Sequence, residues 1–305
     1  MKNVGMKPDS LRSAVAAARF YAPPHCLQRI ASRDTEKGDP QASARIAGIL
    51  AAKRTDELLP LCHPLPIHAA EVHFAIEADH VAIEAEVHTI GPTGVEMEAL
   101  TAASMAALTL YDMLKPYAEP EELRIGDTHL LEKQGGKSHY PRHLKSPLAA
   151  TVLMVSTPVA NGHKPDAAGQ SVVDALGKAG FEPIDYRVLP DDIEQVGDAV
   201  DEAVSTGAPL IVTVGGTGIG PKDKVVETVE PRITTPMPGL MEAARAFGTK
   251  RTPYAVMSRG VSGFIGSSLA VTFPGSRGGA EETMAALLPS LVHIVEIHQR
   301  FARGA

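Results

Sequence analysis

The chain has 305 residues, 44% of them hydrophobic, which is enough to bury two ordinary cores, so two domains are expected. A formal charge of −7 excludes the basic body that bulk nucleic-acid binding needs, and no apolar run approaches the ~20 residues of a membrane span. Cys26 and Cys62 are the only cysteines and form no CxxC pair, so neither a disulfide framework nor a zinc knuckle is indicated, and a soluble protein of the cytoplasm is expected.

In chain order, Ser10–Ala18 reads as a short helix and Arg19-Phe20-Tyr21 as the start of a strand. Cys26–Ser32 reads as another short helix. Lys37-Gly38-Asp39-Pro40 then turns the chain into a longer one, with Asp39 as N-cap and Pro40 at the first position. That helix is expected to bury Ala44, Ile46, Ala47 and Leu50 and to end near Arg54. Pro60, Pro64 and Pro66 make the next segment rigid, neither helix nor inner strand. Ala70–Ile76 and Val81–Val87 alternate apolar and polar residues around a turn at Asp79-His80, the pattern of an antiparallel hairpin with one wet face. A further strand around Leu123–Glu132 leads into Gly135-Gly136-Lys137-Ser138-His139. Residues 1–140 therefore read as an α+β domain, an antiparallel sheet with helices on one side.

The longest helix lies between the turn Gly91-Pro92-Thr93-Gly94 and the breaker Pro116. Val95, Ala99, Ala102, Ala106, Leu110 and Met113 share its core face. The opposite stripe is Glu98, Thr101, Met105, Leu108, Asp112 and Lys115, apolar in the middle and charged at both ends. Glu98 and Asp112 are fourteen residues apart, so roughly 21 Å of helix separates them. One small ligand on one chain cannot use both ends. Two copies packed antiparallel through Met105 and Leu108 would bring them together, which predicts a site between subunits. Lys37, Lys53, His63, Glu96, Glu98, Asp112, Lys115 and Lys137 are the candidates, a set that suits a substrate with several phosphates and a step that moves a proton.

The runs KGD at Lys37, ARIAGILAAKRT at Ala44, LCHPL at Leu61, TGVEMEALTAAS at Thr93, LYDM at Leu110 and GGKS at Gly135 resemble the cyclic pyranopterin monophosphate synthase (MoaC) family over about Val4–Ser138. The resemblance implies a ferredoxin-like fold and a homo-oligomer, a hexamer made of dimers. It implies rearrangement of 3′,8-cyclo-7,8-dihydroguanosine 5′-triphosphate to cyclic pyranopterin monophosphate with release of diphosphate, without a cofactor. It makes Asp112 the acid/base residue, assisted by Lys115, Lys37, Lys53 and His63. Leu61, Cys62, Glu96, Met97, Glu98 and Lys137 become substrate contacts. The start, KNVGMK, departs from the family's Asp-Val-Ser.

After a polar, proline-bounded linker, Tyr140–Pro147, the pattern becomes strand–helix alternation. Strands are expected at Ala150–Val155, Pro183–Leu189, Pro209–Val214 and Leu269–Phe273, and helices at Gln170–Lys178 and Asp192–Ser205. Residues 150–305 thus read as a three-layer α/β domain with a parallel sheet, and ligands in such sheets sit at the carboxyl ends of the strands. TVGGTGIGPKD at Thr213, MPGLMEAAR at Met237, SRGVSG at Ser258 and FPGS at Phe273 resemble the MoaB/MogA molybdopterin-binding family over about Thr151–Val292. Peptide N–H groups of Gly215, Gly216, Thr217 and Gly218 would face an anion. Asp223, with Asp191 or Glu242, would hold a metal or a pterin amine, and Ser258, Pro274, Gly275 and Ser276 complete the expected molybdopterin site. Adenylyl-transferring members imply ATP and Mg²⁺. Thr157 and Val225-Val226 stand where that family carries an aspartate and Thr-Pro, so pterin binding without adenylation is expected. The alternatives are a bifunctional enzyme or a C-terminal scaffold for oligomerisation.

Overall fold

Ser10–Tyr21 is one twelve-residue strand, β1, where a helix was expected over its first part. This is a computed structural model, which describes residues 1–136 and 139–304 (302–304 by backbone alone), and the chain divides into units Met1–Tyr140 and Pro141–Ala305. Alanine prefers helix by only a few tenths of a kcal/mol over most residues. Here Ala14, Ala16, Ala18 and Phe20 alternate into the core, a period of two that only a strand can satisfy. Pairing on both edges decides the outcome. β1 runs antiparallel to β3 (His80–Gly91), from Ser10 opposite Gly91 to Tyr21 opposite His80, and antiparallel to β4 (Arg124–Gln134) on its other side. With β2 (Ala69–Ile76) the sheet order is β2-β3-β1-β4.

Helices α1 (Pro24–Ser32), α2 (Pro40–Lys53), α3 (Thr55–Leu58) and α4 (Glu96–Leu114) accompany this sheet. Asp39 caps α2, accepting from the N–H groups of Gln41 at 2.9 Å and Ala42 at 3.0 Å. The face α2 buries is Ala44, Gly48, Ala51 and Ala52; Ile46 and Leu50 are 67% and 46% exposed, against expectation. Close approach explains the choice: a Cβ on Gly48 would lie 3.0 Å from the Ala102 carbonyl of α4, so only small residues fit the seam. On α4, Val95, Ala99, Ala102, Ala106, Leu110 and Met113 are buried as their spacing predicts, but Glu98 is buried too.

The second unit is built on β5 (Leu148–Val155), β6 (Phe181–Leu189), β7 (Leu210–Val214), β8 (Thr235–Pro236), β9 (Ser262–Ile265) and β10 (Ser268–Phe273), in the order β6-β5-β7-β10-β9-β8. The first four are mutually parallel; β9 and β8 add an antiparallel edge that the expected all-parallel sheet lacks. Only Gly266 and Ser267 separate β9 from β10, too few residues for a parallel crossover. Around the sheet lie α5 (Thr157–Ala160), α6 (Ala168–Lys178), α7 (Ile193–Ser205), α8 (Val225–Val229), α9 (Pro238–Thr249) and α10 (Arg277–Gly304). Residues of α6, α9 and α10 pack with Val152, Met154 and Val212 of the sheet, while α7 and α8 pack with Leu153, Val155 and Ile211. Alternate strand residues therefore feed two cores, one on each face, and the unit is a three-layer α/β fold.

Candidate functional sites

At the C-terminal end of α4 one carboxylate is held by two lysines. Asp112 Oδ1 lies 2.7 Å from Lys115 Nζ and Oδ2 lies 2.6 Å from Lys37 Nζ, which also donates to the Asp112 carbonyl at 3.1 Å. A tight turn presents Lys37: Gly38 adopts φ +98°, and Thr35 Oγ1 donates to its carbonyl at 2.8 Å. The chain after α4 is pinned to the same turn, because the Glu36 N–H donates to the Tyr117 hydroxyl at 2.7 Å. Hydrogen bonds from Lys115, then Lys37, hold the Asp112 carboxyl down at about 2. The same bond raises the Lys115 ammonium. The nearest charge is the carboxylate, and proximity decides the sign.

Glu96, Glu98 and Cys62 lie at the other end. The Glu98 side chain is only 4% exposed; burial, and then Glu96 and Asp56, raise its pKa. It therefore lies in the core of its own chain and not on the stripe opposite the core face where it was expected. The Cys62 thiol is raised by burial, then by Glu98 and Asp56. His63 Nε2 lies 2.7 Å from the Lys2 carbonyl, and Glu96 pairs with Lys133 at 3.4 Å. Leu61 and Met97 are exposed, and Lys53 ends α2 in solvent. Lys137 lies outside the described residues. A cavity of about 250 Å³ is lined by Arg12, Gly94, Glu96, Lys133, Gln134 and Gly135. Arg12 donates to the Gly91 and Pro92 carbonyls at 2.9 and 3.3 Å. Sequence reasoning passed over Arg12 and Lys133; the one available signal was a lone arginine in the otherwise uncharged stretch from Ser10 to Ala18. Within one chain the length of α4 thus parts the Lys37–Asp112–Lys115 group from Glu96, Glu98 and Cys62.

In the second unit two cavities, of about 550 and 270 Å³, share Gly216, Asp223 and Gly275 at the carboxyl ends of β7 and β10. The larger is lined by Thr217, Gly218, Ser258, Pro274 and Ser276 of the expected set, and also by Arg245, Glu282 and Thr283, which were not foreseen. The smaller holds Ser156, Lys164, Asp191, Gly215 and Arg277. Glu242 is exposed on α9 and lines neither cavity, because its helix turns Met241 inward instead. The Gly215 N–H donates to the Phe273 carbonyl at 2.9 Å, so it is spent within the sheet and cannot meet an anion as expected. Asp223 Oδ2 accepts from the Gly220 N–H at 2.8 Å. Thr157 and Asp191 are bonded reciprocally: the Thr157 N–H donates to Asp191 Oδ2 at 2.8 Å, and the Asp191 N–H to Thr157 Oγ1 at 2.9 Å. Each aspartate keeps an oxygen for a ligand, and among the described residues no three His, Cys, Asp or Glu side chains are grouped to hold a metal ion.

Residues 1–136 match the MoaC family, and residues 151–293 match the family described as a probable molybdopterin binding domain. Over 297 residues, 96% of this chain and 92% of the relative, the sequence is 36% identical to a molybdenum cofactor biosynthesis bifunctional protein of Chlorobaculum tepidum. The chain belongs to this bifunctional family. A second member, from Synechococcus elongatus, is 36% identical over 97% of both chains. The N-terminal unit alone is 52% identical over 140 residues to a cyclic pyranopterin monophosphate synthase of a Roseiflexus species, covering 45% of this chain and 87% of that one. The two matched segments fall in the two structural units, so each candidate site belongs to its own unit. No helix among the described residues is long and apolar enough to cross a membrane.

Proposed function

We propose that the N-terminal unit is a lyase of molybdenum cofactor biosynthesis that converts 3′,8-cyclo-7,8-dihydroguanosine 5′-triphosphate to cyclic pyranopterin monophosphate and diphosphate. The observation that carries this reading is the Asp112 carboxylate bridged by Lys37 and Lys115. An ionised carboxylate between two ammonium groups accepts a substrate proton, and its lysines return one while neutralising charge that develops on the phosphates. Lys53, Arg12 and Lys133 supply the cations for the rest of the triphosphate, and His63 supplies a hydrogen bond to it. The strand order and the antiparallel pairing of all neighbours support a ferredoxin-like fold. Because α4 separates the two charged groups, the working site takes Asp112 from one copy and His63, Glu96 and Lys53 from another, in a dimer-based assembly for which a hexamer is the expected size. Product analysis of the purified chain with the cyclised guanosine triphosphate tests the reading; no cyclic pyranopterin monophosphate formed would end it.

The C-terminal unit is read as a molybdopterin-binding unit, with the larger cavity taking the pterin and the glycine loops facing its anionic end. Adenylyl transfer from ATP with Mg²⁺ is the second reading, favoured by Lys164 and Arg277 in the smaller cavity, where they suit a nucleotide's phosphates, with Asp191 and Asp223 as ligands of the ion. ATP consumption by the full chain with molybdopterin and Mg²⁺ separates the two. Binding without adenylylated product supports the first; Asp223-dependent product makes the second correct.

A further inference from the structure

The loop that follows β7 is held from behind by one arginine. Arg259 donates its backbone N–H to the Thr217 carbonyl at 2.9 Å, Nε to the Gly218 carbonyl at 2.8 Å and Nη2 to the Asp223 carbonyl at 2.7 Å. Its Nη1 lies 2.7 Å from Glu227 Oε1, which orients the guanidinium from α8. Thr217, Gly218 and Asp223 line the 550 Å³ cavity, and Arg259 does not; it lines a different cavity, of about 440 Å³. The loop therefore lies between the arginine and the larger cavity.

In a planar trans peptide the C=O and N–H groups point in opposite directions. A carbonyl drawn towards Arg259 turns the N–H of the same peptide away from it. Held by the Arg259 backbone N–H, the Thr217 carbonyl turns the Gly218 N–H to the cavity side of the loop; held by the guanidinium, the Gly218 carbonyl turns the Ile219 N–H away from Arg259. The Gly216 carbonyl is occupied in the same manner by the Val225 N–H at 3.2 Å, which turns the Thr217 N–H. We propose that Arg259, oriented by Glu227, is a positioning residue for ligand recognition: it sets the peptide donors that receive the anionic end of the ligand, and it fixes the backbone that carries Asp223. This rests on the reading that the larger cavity takes molybdopterin. A lysine cannot replace it, because a single ammonium cannot span carbonyls on both arms of the loop.

The experiment uses the full chain and its Arg259→Gln, Arg259→Lys and Glu227→Gln variants. Affinities for molybdopterin and for its dephosphorylated form are measured by fluorescence titration, and hydrogen exchange of the loop amides 217–224 is followed without ligand. Arg259→Gln is expected to weaken molybdopterin binding roughly 10- to 100-fold, the scale of a lost charge-assisted bond, and the dephosphorylated pterin by only about twofold. Its loop amides exchange faster, Arg259→Lys recovers little, and Glu227→Gln shows the same pattern at smaller amplitude. Equal loss for both pterins would reduce Arg259 to a structural role and overturn the proposal, as would unchanged affinities. If the parent chain binds neither pterin, the molybdopterin reading falls, and the exchange data alone judge Arg259: unchanged loop exchange overturns its role.

Discussion

In the N-terminal unit the charged groups stand on side chains at the two ends of one helix and stay largely in solvent, whereas in the C-terminal unit the polar groups are chiefly peptides of glycine loops lining cavities within one chain. On the proposed reading the first arrangement is completed by a second copy, whereas the second is built within one chain and depends on backbone conformation. Substitutions should therefore act through charge in one unit and through shape in the other.

The largest effect is expected at Asp112. Asp112→Asn should lower cyclic pyranopterin monophosphate formation by roughly 10²- to 10⁴-fold, the scale of a lost acid/base group. Thermal unfolding should hardly move, since the residue is exposed. Near-normal turnover by a folded Asn variant would remove Asp112 from the chemistry. In the other unit the sharp test is a methyl group. Gly216 has φ +62°, and an added Cβ would collide with the Val225 side chain. Gly216→Ala should weaken molybdopterin binding by roughly tenfold or more through backbone strain. Unchanged titration curves would mean that the loop does not contact the ligand.

Mixing chains probes the division itself. His63→Ala and Asp112→Asn homo-oligomers should each be inactive, while an exchanged equal mixture regains up to about a quarter of parent activity, since half the dimers carry one intact site of two. No recovery in mixtures shown to exchange would place the site within a single chain. The smallest effect concerns Glu98. Its pKa is raised in the fold, so its contribution favours folding at low pH and is lost as pH rises through the folded value. Glu98→Gln should thus raise the Tm by roughly 2–4 °C near pH 8, with the gain vanishing near pH 4. Asp112 has the opposite sign: its contribution is present above the ordinary aspartate range and is lost as pH falls towards about 2. A Tm difference for Glu98→Gln that grew on acidification would contradict the burial assignment.

Features set by near neighbours were legible in the sequence. Asp39 caps the helix that Pro40 opens, α4 stops just before Pro116, and both glycine loops follow apolar strands. What escaped depends on partners distant in the chain. Alanines at alternate positions of β1 carry no strand preference of their own, and pairing with β3 and β4 determines their state. Ile46 and Leu50 looked like core because they are large, yet the close seam between α2 and α4 admits only small residues. Arg259 lies 41 residues from the Gly218 carbonyl it holds, and Thr157 lies 34 from Asp191, so no local pattern announces either.

The alanines of the N-terminal unit carry one more consequence. Ala14, Ala16 and Ala18 of β1 face a core that also contains Ala99, Ala102, Ala103, Ala106 and Ala107 of α4. Alanine has no rotamers to lose when it is buried, so ordering this interface costs almost no side-chain conformational entropy, whereas leucine or methionine would lose roughly 0.5–2 kcal/mol each. The return per residue is correspondingly small, because each methyl group hides little apolar area. Cohesion then comes from many short contacts between nearly touching backbones. Such an interface has scarcely any soft degrees of freedom, so α4 should move as a rigid rod whose two ends keep a fixed separation. A rod of constant length between Glu96 and Lys115 would act as a ruler, setting how far apart two copies must hold the halves they exchange.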